Sequence, residues 1–234
     1  MATRLARAFG AFRIAVNKLH DYYKNLSAKS DMPETPQRAS TVTFPYPDGY
    51  ADGNASIKFT YNSRFNDSKL IFVATTTEGN KVLVKFTRRY SKEAHQHCAE
   101  AGVAPVLLGF QSLPAGWFMA VMEYLDPQTY RVLEPGDGSN SILVGEIQRV
   151  VTVLHDGGFV HGDIRDVNMM TRNQWGINEA RNVLLLDFDW AGPSGVTKYP
   201  RNVNTQTVKR PEGAKDGALI VEKHDWFMVQ YLFG

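Results

Sequence analysis

The chain reads as an α+β protein in two lobes: a five-stranded antiparallel sheet with one inserted helix, then a smaller helical lobe. Three observations predict this. Short β-branched and aromatic runs crowd residues 57–122, and apolar residues at helical spacing follow from Leu143 to Leu154. Beyond them, side chains bearing carboxylates and amides gather in one short stretch. With 43% apolar and 12% aromatic residues, the 234-residue chain can bury a good core, which excludes a disordered or fibrous protein. Its 26 basic and 24 acidic side chains leave a formal charge of +2, too weak a field to suggest a nucleic-acid partner. Cys98 is the single cysteine, which excludes an intramolecular disulfide and a multi-cysteine zinc site and fits a reducing, cytoplasmic setting. No stretch reaches the roughly 18 continuous apolar residues of a membrane span.

The first element is a long amphipathic helix over about 1–30. Leu5, Phe9, Phe12, Val16, Leu19, Tyr23 and Leu26 fall on one face, and Arg4, Arg7, Arg13, Lys18 and Lys24 lie on the other. Docking the aromatic face on the rest of the domain is the favoured reading; a membrane-surface helix and a mitochondrial targeting segment are the alternatives. Asp31 to Pro47 holds four prolines and reads as an extended linker, so a first region is expected over 1–47. A sheet lobe over 48–125 and a helical lobe over 126–234 follow.

Ile57 to Tyr61, Leu70 to Thr75 and Val82 to Phe86 read as three strands of an antiparallel meander separated by polar turns. Alternation puts Lys85 on the face opposite Val84 and Phe86, where an ammonium needs an anionic partner. Glu93 can supply it from a short helix over Ser91 to Ala101, stopped by Gly102 and Pro105; the alternative is an edge-strand lysine facing water. Val106 to Phe110 and Trp117 to Met122 complete the five strands, and Glu123-Tyr124-Leu125 leaves the last. After the polar break from Pro135 to Ser141, the run Leu143, Ile147, Val150, Val151 and Leu154 is a helix leading to His161.

The segment His161-Gly162-Asp163-Ile164-Arg165-Asp166-Val167-Asn168 precedes an apolar run, Val183 to Leu186, that ends in Asp187-Phe188-Asp189. An Asp with an Asn five residues on, then an Asp closing a buried strand, suits phosphoryl transfer from Mg-ATP. One carboxylate handles the attacking hydroxyl's proton, while the amide and the second carboxylate hold divalent metal. Singly, each motif has a plainer reading as a turn, a cap or a strand end. His95 and His97 are the closest histidine pair, and their i, i+2 spacing points them to different helix faces, so no zinc site is expected.

Taken together, the lysine strand, the Glu-bearing helix, the Met122-Glu123-Tyr124-Leu125 segment, the His-x-Asp loop and the Asp-Phe-x turn resemble the protein-kinase-like superfamily from about Ile57 onward. The wording Val-Lys-Phe-Thr-Arg-Arg-Tyr, Ala-Glu-Ala-Gly-Val-Ala-Pro and Asp-Phe-Asp-Trp-Ala-Gly with Tyr199-Pro200 is similar to small kinase-like proteins of mushroom-forming fungi. The resemblance implies a two-lobed kinase-like fold and roles for single residues. Lys85 contacts the α and β phosphates and is held by Glu93, Asp163 is the catalytic base, and Asn168 and Asp187 bind Mg²⁺. Arg165 approaches the transferring phosphate and points to a protein substrate. Glu123 and Leu125 offer backbone groups to adenine, with Met122 as gatekeeper.

The resemblance also has departures. The turn Asn62 to Ser68 has no glycine to let backbone amides close on phosphates, and Leu83 stands where a small residue usually roofs the adenine. Gly162 replaces an arginine that reads a phosphorylated activation loop, and Asp189 replaces a glycine, either joining a metal site or stiffening the turn. Arg210-Pro211-Glu212 resembles the close of an activation segment, and Asp225 matches the aspartate that ties the central helix to the catalytic loop. The sequence stops at Gly234, so a minimal or shortened helical lobe is expected, with a partner for the apolar run Trp226 to Phe233. The favoured function is a Mg-ATP-dependent protein Ser/Thr kinase. A pseudokinase that binds nucleotide or a partner without turnover is the first alternative, and a small-molecule kinase of the aminoglycoside or choline type is the second.

Overall fold

The computed structural model describes residues 13–21, 45–53, 55–66, 69–175 and 181–233. The chain divides into two compact units, 1–41 and 42–234. In the first unit, residues 13–21 form helix α1, with Ile14, Val16 and Leu19 all exposed. The remainder of the amphipathic helix expected over 1–30, and the linker up to residue 44, lie outside the described residues.

The second unit opens with a six-stranded antiparallel sheet. Its strands are β1 (Gly49–Asp52), β2 (Ala55–Asn66), β3 (Ile71–Thr76), β4 (Lys81–Thr87), β5 (Leu107–Leu113) and β6 (Trp117–Glu123), in the order β1-β2-β3-β4-β6-β5. The five strands expected are present, and the sixth, β1, corrects that count. Four residues between prolines and a glycine turn carry no alternating run. β1 pairs with β2 across the turn at Gly53, whose φ of +56° suits glycine. Tyr50 of β1 then seats against Gly109 of β5, although the two strands lie at opposite ends of the strand order, so the sheet curls until its ends meet. On one face Tyr50, Phe59, Phe72, Val82, Val84, Phe86, Met119 and Val121 form a buried cluster. Alternation along β4 sends Leu83 and Lys85 to the opposite face.

Helix α2 (Lys92–Glu100) follows β4. It is capped by the Ser91 side chain, which accepts from the Ala94 N–H, and is closed by Gly102 at φ +73°. Its inner residues Ala94 and Cys98 join the main core with Leu143, Ile147, Val150, Val151 and Leu154 of helix α3 (Ser141–Asp156). Asn140 caps α3 by accepting from the Ile142 and Leu143 N–H groups, and the His97 ring donates to the Val153 carbonyl at 2.7 Å, joining α2 to α3. The short strands β7 (Tyr130–Val132), β8 (Phe159–Val160), β9 (Met169–Arg172), β10 (Val183–Leu185) and β11 (Gly192–Pro193) shape the loops that follow. Helix α4 (Glu222–Gln230) ends the described fold, with Trp226, Phe227, Val229, Leu232 and Phe233 packed against the main core. Among the described residues no helix is long and apolar enough to cross a membrane.

A Cβ at position 109 would stand 2.6 Å from the Tyr50 ring, nearer than any real contact. Gly109→Ala is therefore expected to destabilise the sheet by about 1–3 kcal/mol, read as a lowered urea midpoint with an unchanged slope.

Candidate active site

A cleft of about 470 Å³ lies beneath the sheet, within the size range of small-molecule sites. Its walls include Leu83 and Lys85 from β4, Met122 and Glu123 from β6, Tyr124 and Leu125 beyond it, and Arg165, Asn168 and Asp187 from below. These residues are far apart in sequence. Antiparallel pairing and the loop geometry bring them together.

Lys85 is 6% exposed, and its Nζ stands 2.6 Å from Asp187 Oδ1 and 2.6 Å from Asp189 Oδ1. Burial opposes the ammonium charge, but the two carboxylates overcome it and raise the Lys85 pKa. Burial likewise opposes ionisation of Asp187, and Lys85 with Lys69 outweighs it, holding that carboxyl well below its usual range. Asp189 moves the other way: burial raises its pKa, and the Asp187 charge adds to burial against the pull of Lys85. The expected Lys85–Glu93 pair is corrected by this arrangement. Glu93 is exposed in the first turn of α2, and no ion pair joins it to Lys85 among the described residues. The α2 side chain that lines the cleft is His95, two residues on and 1% exposed.

His95 is uncharged in this setting, its pKa lowered by burial to about 4. Its Nε2–H donates to the Pro105 carbonyl at 2.8 Å, and its Nδ1 accepts from the Tyr90 hydroxyl at 2.6 Å. The ring stacks on Phe188 with centroids 4.6 Å apart and planes at 11°. Phe188 meets His161 edge-on from the other side at 5.7 Å, and its carbonyl accepts from the Ser91 N–H at 3.0 Å. Helix α2, the Asp-Phe-Asp turn and the His-Gly-Asp loop are thus locked through one aromatic ring. Asp187 sits at φ +62°, a left-handed conformation that costs a non-glycine residue about 1–2 kcal/mol and is held by this packing.

The loop below is equally constrained. The Asp225 carboxylate, fully buried in the first turn of α4, accepts from the N–H groups of His161 at 2.8 Å and Gly162 at 2.7 Å, and from His155 Nε2 at 3.1 Å. The expected tie from Asp225 to the loop is present. Gly162 adopts φ +77°, and a Cβ there would meet Ile220 at 2.6 Å, so an arginine at this position would not fit. His161 donates from Nε2 to the Leu186 carbonyl at 2.9 Å and accepts the Asp163 N–H at Nδ1.

Asp163 is 6% exposed and both its oxygens are engaged. Oδ1 accepts from Arg210 at 2.6 Å, and Oδ2 accepts from Arg165 at 2.8 Å and from the Asn168 amide at 3.0 Å. Arg210 comes from the Arg-Pro-Glu segment, donates also to the Gly162 carbonyl, and lies over the Trp190 ring at 4.7 Å. Asn168 and Asp187 are brought to the same cleft by the β9–β10 pairing, just beyond which the Leu186 N–H donates to the Asn168 carbonyl at 2.8 Å.

No protein-family model and no curated protein sequence matches the chain. Solved structures do. It is similar to the Cydia pomonella granulovirus kinase PK-1 at 14% identity and a TM-score of 0.55, over 73% of this chain and 65% of that one. The BubR1 kinase domain matches at 12% identity and a TM-score of 0.52, over 94% of this chain and 73% of that one. Vaccinia related kinase 3 matches at 14% and 0.53, over 83% and 68%. The chain has a protein-kinase-like fold. In this kinase-like chain, eight of the nine residues singled out from sequence line the cleft or, for Asp163, touch residues that do; Glu93 does not. Asp189, His95, Lys69 and Arg210 complete the polar surroundings. The extra carboxylate of Asp-Phe-Asp signalled the first in sequence, and nothing local signalled that Arg210 reaches Asp163.

Two outcomes follow. Nζ titration of Lys85 by NMR is expected to move down in Asp189→Asn and to stay unchanged in Glu93→Gln. Because the folded pKa of His95 is depressed from 6.5 to about 4, unfolded chains bind its proton first. His95 therefore stabilises the fold fully above pH 6.5, and that contribution is lost as pH falls toward 4; the slope of urea stability over this window is expected to shrink in His95→Gln.

Proposed function

We propose that the chain is a Mg-ATP-dependent phosphotransferase acting on protein Ser/Thr hydroxyls, a small atypical kinase of the kind found in mushroom-forming fungi. Residues 48–125 form its nucleotide lobe and 126–234 the lobe that carries Asp163. The reading rests on one observation: Lys85, Asn168 and Asp187 line a single cleft, with Asp163 bonded to Asn168 beside it, although Lys85 and Asp187 stand 102 residues apart. Adenine would lie between Leu83 and Met170, with Met122 behind it and the Glu123 and Leu125 backbone at its edge.

The donor set fits a divalent cation. Asn168 spends its amide nitrogen on Asp163, which leaves the amide oxygen as its free end, and Asp187 already draws a second cation, Lys69, to its outer oxygen at 2.9 Å. Asn168 and Asp187 would hold Mg²⁺, which when bound neutralises charge on the phosphates. Lys85, fixed by Asp187 and Asp189, supplies a point charge to the α and β phosphates. Asp163 accepts the hydroxyl proton as bonding to phosphorus develops, and Arg165 steadies the transferring group from the adjacent position.

A second reading, nucleotide binding without turnover, is favoured by Asp163 itself. Two arginines and an amide occupy both of its oxygens, so a hydroxyl must displace Arg210 or Arg165 before its proton can be taken. Transfer of labelled γ-phosphate to a Ser/Thr peptide library, beside an amino-sugar and choline panel, separates the readings. Transfer to peptide, reduced about 10²–10⁴-fold in Asp163→Asn with nucleotide binding retained, is expected. Unchanged transfer in that variant overturns the role of Asp163, binding with no transfer supports the second reading, and phosphate on the small molecules alone overturns the protein substrate.

A further inference from the structure

The sequence between β2 and β3 contains no glycine, the residue that lets backbone amides close on a polyphosphate. It holds a lysine instead. Lys69 precedes β3, and three features aim its side chain into the cleft. Ile71 pairs directly with Lys85 in the β3–β4 register, and Lys69, from the turn just before β3, lines the cleft with both of them. The backbone carbonyls at and just after Lys69 are tied down: Arg64 Nε donates to the Lys69 carbonyl at 3.2 Å, and the Phe86 N–H donates to the Leu70 carbonyl at 2.9 Å. Nζ of Lys69 then stands 2.9 Å from Asp187 Oδ2, on the carboxylate whose other oxygen Lys85 takes.

Two ammonium groups therefore face this turn: Lys85 meets both Asp187 and Asp189, and Lys69 meets Asp187 alone. The two lysines differ in freedom. Lys85 is enclosed, with 7% of its side chain exposed, whereas Lys69 is 49% exposed and attached by a single carboxylate oxygen. An exposed pair of this kind is held weakly, and a polyphosphate with more charge and more acceptors competes well for the ammonium.

We infer that Lys69 is a phosphate-binding residue carried by the roof of the cleft, which leaves Asp187 for the polyphosphate of a nucleoside di- or triphosphate and allows that ligand to bind without a divalent cation. The inference rests on the nucleotide reading above and adds to it a site within the β2–β3 turn. Lys69 supplies from a side chain the positive charge that a glycine-rich turn would supply from backbone N–H groups. In the presence of divalent cation the Asn168 and Asp187 donors serve the metal, and Lys69 is free for the terminal phosphate.

The test is isothermal titration of ADP into the full chain in EDTA and, separately, in Mg²⁺, for the wild type, Lys69→Gln and Lys69→Arg. Binding by the wild type in EDTA is expected, weakened about tenfold or more in Lys69→Gln and largely kept in Lys69→Arg, with a smaller loss in Mg²⁺. Equal affinity of wild type and Lys69→Gln in EDTA, or wild-type binding that needs Mg²⁺, overturns the role of Lys69 while leaving the nucleotide reading intact. Absence of binding in both conditions overturns the two together.

Discussion

Lys85 is the charge around which the cleft is organised. An ammonium on an interior strand, 6% exposed, is costly to bury unless carboxylates compensate it, and here Asp187 and Asp189 both do. Those carboxylates belong to a turn about 100 residues later, so satisfying one buried charge forces the sheet and the helical part of the second unit to meet at a fixed place. The opposed pKa movements of Asp187 and Asp189 follow from that crowding of charge.

The packing around the turn turns this electrostatic requirement into a rigid frame. Phe188 fills the space between His95 and His161, and each of those imidazoles has both ring nitrogens engaged: His95 by Tyr90 and the Pro105 carbonyl, His161 by the Leu186 carbonyl and the Asp163 N–H. Asp225 does the same for the loop from below by taking two consecutive backbone N–H groups that no strand or helix would otherwise satisfy. The polar groups of the site are therefore held by neighbours that are themselves held, which is what a site needs if small displacements are to be resisted.

Charge is distributed around the cleft in close pairs of opposite sign. The carboxylate expected on α2 has moved to the third position of Asp-Phe-Asp, and a neutral histidine occupies the inward face of the helix. Cations crowd the anionic groups in return, Lys69 on Asp187 and Arg165 with Arg210 on Asp163. The Arg210 guanidinium is itself nearly buried and lies over Trp190, so Asp163 is covered by a segment 47 residues downstream rather than left open to solvent.

Much of this was legible in the residues alone. Period-two alternation located five strands and the inward side of Lys85, helical spacing from Leu143 to Leu154 located α3, and short-range order joined Asp163, Asn168 and Asp187 into one chemistry. Those signals are local: they depend on rotation per residue and on groups a few positions apart. The edge strand β1, the partner of Lys85 and the reach of Arg210 were decided only in three dimensions. β1 has too few residues to show a pattern and exists because Tyr50 finds Gly109 across the curled sheet. Glu93 and Asp189 were both available to Lys85 by charge, and the rotation of α2 that turns His95 inward leaves Glu93 in water. Sequence determines which groups a chain can offer; which of them meet depends on distances that only the packed fold sets.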